Sequence, residues 1–156
     1  GWSAAGLAAL SAGADSGSDA ALFADVVAAH RVPRPPYSAV LELPDATEIT
    51  AMTDVSDGLL ADLSHIAESS GVAVDVDSAA VADLALSPVA AALHADALGW
   101  ALTGGEDHAF VATFGPGTIV PPGWRVIGRV CTGSGVVVDG ARWSGPLGWE
   151  SFGGGE

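Results

Sequence analysis

The sequence predicts an α/β, or α+β, fold in which a mixed β-sheet is covered by helices. Residues 72–77 alternate between apolar and acidic or small side chains, which is the period of a half-buried strand. Residues 109–114 form a short apolar run of the kind found in a buried strand. Between a strand predicted for residues 49–54 and the strand at residues 72–77, Leu59, Leu63 and Ile66 recur at helical spacing. Strands that alternate with helical segments indicate a sheet with helices packed on it.

Residues 1–36 are predicted to be a helical lead-in followed by a proline-rich connector. Residues 18–30 have a helical pattern that places Leu22 and Val26 on one apolar face. Three prolines within residues 33–36 then impose an extended path. Two of the five arginines lie at this connector, where they are either solvated or in contact with a phosphate or a partner domain.

A turn with two carboxylates follows the strand predicted for residues 49–54. Asp54 and Asp57 lie three residues apart, and a helix is predicted to start after Gly58. Open sheets usually bind ligands at the carboxyl ends of their strands. Two neighbouring acids repel each other unless water or a cation relieves the repulsion. We therefore predict that Asp54 and Asp57 hold Mg²⁺ for a phosphate-bearing ligand.

The helix after this turn is predicted to end at Ser70-Gly71, with Asp62 facing away from its apolar stripe. The remaining predicted elements are a short helix over residues 87–94, strands over residues 124–130 and 135–139, and a short return strand over residues 141–143.

A second acidic segment, Gly104-Gly105-Glu106-Asp107, precedes the strand at residues 109–114. The glycine pair allows backbone conformations closed to other residues and lets a ligand approach the chain closely. The segment is either an ordinary acidic turn or a second wall of the ligand site.

Charge excludes several classes of protein. The net charge is −14, and all five basic residues are arginines. Such a chain repels nucleic acid and anionic membranes, so neither is an expected partner. Without lysine it has no P-loop lysine, no protein-kinase strand lysine and no Schiff-base chemistry. A nucleotide would have to be bound through carboxylate-held metal and backbone amides.

The chain is expected to be cytoplasmic. Cys131 is the single cysteine, so an internal disulfide is impossible and a reducing compartment fits. No apolar run approaches the roughly 20 residues of a membrane span, and no signal peptide is recognisable. The sequence starts at Gly1 rather than Met, which suggests a fragment.

The two acidic motifs together resemble the carboxyl-terminal half of thiamine-monophosphate kinase, a family of the aminoimidazole ribonucleotide synthetase-like superfamily. Asp54-Val55-Ser56-Asp57-Gly58-Leu59 is similar to the family's acidic turn, and Gly104-Gly105-Glu106-Asp107 to its G-G-E-D motif. His108 stands where the family commonly has Tyr, and Ser151 where a His is frequent.

The resemblance implies transfer of the terminal phosphoryl group of ATP to thiamine monophosphate. Asp54 and Asp57 would be Mg²⁺ ligands and Ser56 would contact the ATP phosphates. Glu106 and Trp149 would contact the thiamine substrate. No residue is assigned as a catalytic nucleophile, because the substrate phosphate attacks directly.

The resemblance also implies a divided protein. Residues 1–36 would lead in from a missing amino-terminal domain, and residues 37–156 would form the carboxyl-terminal kinase domain. The full-length protein would be a homodimer, and this fragment alone would be inactive. Two alternatives remain: a related synthetase of the selenophosphate or aminoimidazole ribonucleotide type, and a non-catalytic metal-binding module.

Overall fold

The computed structural model describes residues 1–18, 20–45 and 47–148. Three helices come first, strands and helices alternate in the middle, and after a further run of helices three strands follow one another. The helices are α1 (Trp2–Ser11), α2 (Ala20–Arg31), α3 (Tyr37–Leu41), α4 (Leu59–Ser70), α5 (Ser78–Val81), α6 (Ser87–Ala92) and α7 (Ala97–Thr103), with a 3₁₀ turn at Leu84–Leu86. The strands are β1 (Ile49–Val55), β2 (Ala73–Val76), β3 (Ala109–Phe114), β4 (Gly128–Cys131) and β5 (Gly135–Val138).

The described strands form two sheets. Strands β1 and β3 pair in antiparallel fashion. Strand β2 lies between β4, to which it is antiparallel, and β5, to which it is parallel. The predicted combination of mixed strand directions with covering helices is therefore confirmed, although one sheet was expected.

Two predicted strands are shorter in the structure. Strand β4 begins only at Gly128, whereas residues 124–130 were predicted. The return strand predicted for residues 141–143 is reduced to a single bridge between Val138 and Ala141. Prolines and glycines before residue 124 turn the chain, so that only the last part of the apolar run meets β2.

Helix α4 is the centre of the main hydrophobic core. It packs against β1, β2 and β5. Leu60 is fully buried and Leu63 is 3% exposed. The core cluster around these side chains also contains Val55, Leu59, Ile66, Ala67, Val74, Val76, Val81, Leu102, Val111 and Val138. Burial of this apolar surface fixes the direction in which α4 leaves β1, and hence the position of the turn between them.

A second core cluster joins the amino-terminal helices to the rest of the chain. Helix α1 packs against α2, and Phe23 and Val26 of α2 are buried together with Leu86. Leu22, which was predicted on the apolar face, is 42% exposed, while Val26 is 2% exposed. The buried face is rotated because Phe23 and Val27, not Leu22, continue the stripe through Val26. The proposed domain boundary at residue 36 stays a prediction.

No single helix in the described ranges has the length and apolarity needed to cross a membrane. The segments Leu84–Ala92 and Ala97–Thr103 meet that test of length and composition only as a pair, and they are bent by 117° with respect to each other.

Candidate functional site

The pairing of β1 with β3 brings the two acidic motifs together. In an antiparallel pair, the end of one strand lies beside the start of the other. Here Val55, the last residue of β1, is opposite Ala109, the first residue of β3. The acidic turn (residues 54–58) starts with the last two residues of β1, and the glycine loop (residues 104–108) precedes β3. Segments about 50 residues apart in sequence therefore form one surface.

Backbone hydrogen bonds join the two segments directly. The N–H of Glu106 donates to the carbonyl of Ser56 at 2.7 Å, and the N–H of His108 donates to the carbonyl of Val55 at 2.9 Å. A Cβ on Gly105 would lie 2.8 Å from the Ser56 carbonyl oxygen, closer than the backbone permits. This glycine therefore allows the glycine loop to sit against the acidic turn.

The carboxylate of Asp62 holds the acidic turn from inside the protein. Its Oδ2 atom accepts the backbone N–H groups of Ser56, Asp57 and Gly58 at 3.0, 3.1 and 3.1 Å. The residue is 5% exposed, so the prediction that it faces away from the core was wrong. Burial raises the pKa of the Asp62 carboxyl, an effect that the three N–H groups oppose and that the charge of Asp57 reinforces.

A signal for this position was present in the sequence. Asp62 is three residues after Leu59 and four before Ile66, so it lies on the apolar stripe rather than opposite it. An acid on a buried stripe in the first turn of a helix is close to the unpaired N–H groups that precede that helix. Its polar character alone made it look like a surface residue.

Asp54 and Asp57 are both exposed. Asp54 is opposite Phe110 in the β1–β3 register, and Asp57 lies in the turn before α4. Within the described ranges, no three side chains of His, Cys, Asp or Glu are grouped so that they could hold a metal ion. Mg²⁺ commonly takes only one or two protein carboxylates and completes its shell with phosphate oxygens and water. Two exposed acids on one turn fit that mode of binding.

The two acids of the glycine loop have different surroundings. The side chain of Glu106 is 70% exposed, and its Oε2 lies 3.1 Å from Nε2 of His108. The carboxylate of Asp107 is 17% exposed and accepts from the Gly1 amino group and, at 2.8 Å, from the N–H of Ser3. Asp107 thus holds the start of α1 to the glycine loop, a structural role that the motif alone did not reveal.

Backbone conformation in the glycine loop is unusual. Glu106 and His108 both have positive φ, at 64° and 50°, in the region that side-chain-bearing residues rarely adopt. Strained residues of this kind are frequent at functional sites. Here the hydrogen bonds to the acidic turn hold Glu106 and His108 in place and direct the Glu106 carboxylate to solvent.

The carboxyl-terminal segment reaches the same turn. A Cβ on Gly148 would lie 2.4 Å from the carbonyl oxygen of Asp57 and 2.7 Å from the Cβ of Ala61. The backbone at Gly148 therefore passes directly against the acidic turn. Trp149, the second substrate contact implied by the resemblance, lies outside the described residues.

An apolar cavity of about 590 Å³ borders the glycine loop at Asp107 but is separate from Asp54, Asp57 and Glu106. It lies between β3 and residues 118–130, and its lining includes Leu63 and Val76. Among the residues implicated by the sequence, Ser56, Asp57 and Glu106 do not line it. The exposed acidic surface, rather than this cavity, is therefore the candidate phosphate site.

Known proteins with similar sequences are thiamine-monophosphate kinases. The chain is 53% identical over 135 residues to the thiamine-monophosphate kinase of Mycobacterium tuberculosis, and the match covers 84% of this chain and 39% of that protein. It is 42% identical over 106 residues to the thiamine-monophosphate kinase of Methanopyrus kandleri, with 67% of this chain and 34% of that protein covered. The chain thus spans less than half the length of these relatives.

Solved structures agree with these sequence similarities. The structure of AaThiL complexed with AMPPCP and TMP superposes with a TM-score of 0.83 at 29% identity, covering 97% of this chain and 48% of that chain. Thiamine-monophosphate kinase from Stenotrophomonas maltophilia superposes with a TM-score of 0.76 at 30% identity, covering 92% and 48%.

The family match extends over most of the chain. Residues 1–140 match the family described as AIR synthase related protein, C-terminal domain. This range includes both acidic motifs and all the described helices and strands. The chain therefore belongs to the C-terminal domain family of the AIR synthase related proteins.

Proposed function

We propose that this chain is the carboxyl-terminal domain of a thiamine-monophosphate kinase, which transfers the terminal phosphoryl group of ATP to thiamine monophosphate and so forms thiamine diphosphate. The proposal is supported by similarity to thiamine-monophosphate kinases and to a ThiL structure that contains AMPPCP, an ATP analogue, and TMP. The chain spans 39% of the M. tuberculosis protein. The remaining part of the site would therefore come from residues outside this chain.

One observation carries the proposal: the β1–β3 pairing sets the acidic turn against the glycine loop. Phosphoryl transfer requires a donor and an acceptor held in line, with the charge on the transferred group neutralised. The exposed acids of the turn suit the metal–nucleotide side of such a site. Glu106, whose carboxylate projects into solvent beside them, suits the acceptor side.

Asp54 and Asp57 are the residues that would hold Mg²⁺. When bound, the ion would neutralise charge on the phosphate oxygens of the nucleotide. Ser56, between the two acids, would contact the ATP phosphates.

Glu106 and Trp149 are the proposed contacts to the thiamine substrate. Glu106 is negatively charged and exposed, which suits a substrate with a cationic ring system. Direct attack by the phosphate oxygen of thiamine monophosphate needs no protein nucleophile, so these residues bind and orient the acceptor. Formation of a homodimer and a cytoplasmic location belong to the same proposal; they rest on the family resemblance and on the single cysteine.

Assay of the full-length protein against a panel of acceptors tests this function. With ATP and Mg²⁺, we expect thiamine diphosphate from thiamine monophosphate and no product from selenide or from aminoimidazole ribonucleotide precursors. Turnover of selenide or of a precursor instead would assign the chain to one of the related synthetases. Binding of Mg²⁺ and nucleotide without turnover of any acceptor would favour the metal-binding module.

The isolated 156-residue chain should show little or no kinase activity. Two carboxylates on one exposed turn leave most of the metal and nucleotide shell to be supplied by other residues. Thiamine diphosphate formation by the isolated chain and by the full-length protein can be compared at equal concentration. Normal turnover by the isolated chain would show that the site is complete within it.

A further inference from the structure

We propose that Asp62 is the positioning residue of the candidate site, holding the acidic turn so that Asp54, Ser56 and Asp57 present their side chains to the metal–nucleotide complex. The inference rests on the proposed function and adds to it a residue that touches no ligand itself. It is carried by the hydrogen bonds of one buried carboxylate.

Three successive N–H groups converge on one oxygen atom of Asp62. The donors belong to Ser56, Asp57 and Gly58, and all three distances are between 3.0 and 3.1 Å. Converging N–H groups form a concavity that in other proteins binds phosphate or another anion. In this chain a carboxylate of the protein fills the concavity. Phosphate must therefore bind through other groups, namely the side chains of the turn and the metal they hold.

The acidic turn is fixed on its opposite side by the glycine loop. The carbonyls of Val55 and Ser56 accept from the N–H groups of His108 and Glu106. The N–H of Asp62 also donates to the carbonyl of Gly58 at 2.9 Å, which begins helix α4. The N–H groups of residues 56–58 are thus bound to Asp62, and the carbonyls of Val55, Ser56 and Gly58 are bound to other backbone groups. The Asp57 side chain is exposed to solvent, while hydrogen bonds hold the backbone that carries it.

Burial of the Asp62 carboxylate has a free-energy cost that stability alone does not explain. A carboxylate that is 5% exposed on the apolar stripe of α4 loses hydration, and the nearby Asp57 repels it. An apolar residue would extend the stripe formed by Leu59 and Ile66 without either cost, but it would leave three backbone N–H groups of the turn without this acceptor. Charge-assisted hydrogen bonds to three N–H groups offset part of the cost and, in return, define the shape of the turn.

Kinetics of variants in the full-length enzyme test the inference. Asp62→Asn keeps an acceptor oxygen but loses the charge that strengthens the three hydrogen bonds. We expect a folded protein in which kcat falls at least tenfold and the Mg²⁺ concentration for half-maximal activity rises at least tenfold. Asp62→Ala, which removes every acceptor, should show a larger loss than Asp62→Asn on both measures.

Ile66→Val is the matched control, because it alters the buried face of the same helix two turns from the acidic turn. It should lower stability while leaving the Mg²⁺ dependence of the folded enzyme at the wild-type value. A purely structural role for Asp62 predicts that Asp62→Asn behaves in the same way as this control. Unchanged kcat and Mg²⁺ dependence in Asp62→Asn would overturn the inference.

Amide hydrogen exchange separates this inference from the proposed function. In the wild-type protein the N–H groups of residues 56–58 should exchange slowly, and in Asp62→Asn they should exchange at least tenfold faster than in Ile66→Val. That result supports the positioning role even if no acceptor is phosphorylated, in which case only the proposed function fails. Equal exchange rates in the two variants would overturn the positioning role whatever the activity of the enzyme.

Discussion

Glu106 and Asp107 are neighbours in sequence, but their carboxylates have opposite environments. Glu106 is 70% exposed and next to His108, whereas Asp107 is 17% exposed and hydrogen-bonded to the start of α1. Changing each acid to its amide therefore separates ligand binding from folding. Glu106→Gln should change the unfolding free energy by less than about 0.5 kcal/mol, because exposed side chains contribute little.

The same pair of variants should differ in kinetics. In the full-length enzyme, Glu106→Gln should raise KM for thiamine monophosphate, while Asp107→Asn should lower stability by about 1–2 kcal/mol through the weakened bond to Ser3. Urea denaturation and steady-state kinetics measure the two effects. A large loss of stability in Glu106→Gln, with unchanged KM, would remove it from the substrate site.

Gly58 is confined by both its backbone angle and its neighbours. Its φ is +131°, and an added Cβ would lie 2.8 Å from the Thr103 carbonyl oxygen and 3.2 Å from Gly148 Cα. Gly58→Ala should therefore destabilise the protein by about 2–4 kcal/mol. Gly71, with φ of +64° and open space around it, is the control: its change to Ala should cost only about 1 kcal/mol. Equal losses of stability in the two variants, measured by thermal unfolding, would mean that crowding at Gly58 is unimportant.

Among the elements, α1 is joined to the 3₁₀ turn at Leu84–Leu86 by an indole–carboxylate hydrogen bond. Trp2 Nε1 donates to Asp83 Oδ2 at 2.8 Å, and Asp83 Oδ1 accepts from the N–H of Ala85. The hydrogen bond from Trp2 lowers the pKa of the Asp83 carboxyl, with further contributions from Ala85 and from the charge of Arg125, while burial opposes the change. The ionised form is thus favoured in the folded state.

This link predicts a pH-dependent contribution to stability. A folded-state pKa below the unfolded value of about 3.9 gives stability that is present above that value and is lost as the pH falls through the folded pKa. Asp83→Asn should lower the unfolding free energy by about 1 kcal/mol at pH 7. The difference from wild type should shrink at about pH 3. Urea denaturation at both pH values measures this difference in unfolding free energy, with the exposed Asp25→Asn as control. A difference that is larger at pH 3 than at pH 7 would contradict the lowered pKa of Asp83.

Periodicity predicted the long or strongly patterned elements of this fold. Strands β1, β2, β3 and β5 and helix α4 lie close to their predicted positions, because their alternation or stripe is visible within a short window. Helices α3, α5 and α7 were not predicted. They have 5, 4 and 7 residues, too few for a helical period to become visible. Two of them begin at local caps: the Asp77 carboxylate accepts two N–H groups at the start of α5, and the Asp96 carboxylate accepts one at the start of α7.

The candidate site, like the fold, was predicted from the sequence only in part. Asp54, Ser56, Asp57 and Glu106 could be selected from sequence because acids beside glycines at strand ends form a recognisable motif. The structure brings both motifs to one surface through the β1–β3 register, as a ligand site requires. The spacing of Asp62 places it on the buried stripe of α4 but does not show which N–H groups it accepts, and the bond from the Gly1 amino group to Asp107 joins residues 106 apart, which spacing does not reveal.

At the scale of the whole molecule, two hydrophobic clusters support one acidic surface. The main core fixes α4 relative to β1, and the second cluster fixes α1, whose start is held by Asp107. The main core therefore adjoins the acidic turn, and the second cluster adjoins the glycine loop. The outer face of β1 is open, with Met52 42% exposed between two exposed polar residues. On the proposed function, this open side of the acidic surface is where the rest of the enzyme would complete the site.

The central claim is that the acidic turn binds the metal–nucleotide complex of a thiamine-monophosphate kinase. Its most direct test is the rate of thiamine diphosphate formation by full-length Asp57→Asn, measured over a range of Mg²⁺ concentrations beside Asp25→Asn. Loss of one of two metal-binding carboxylates should lower kcat/KM by about 100-fold or more, equivalent to roughly 2.7 kcal/mol of transition-state stabilisation. Asp25→Asn should match the wild type. Wild-type turnover and Mg²⁺ dependence in folded Asp57→Asn would contradict the account.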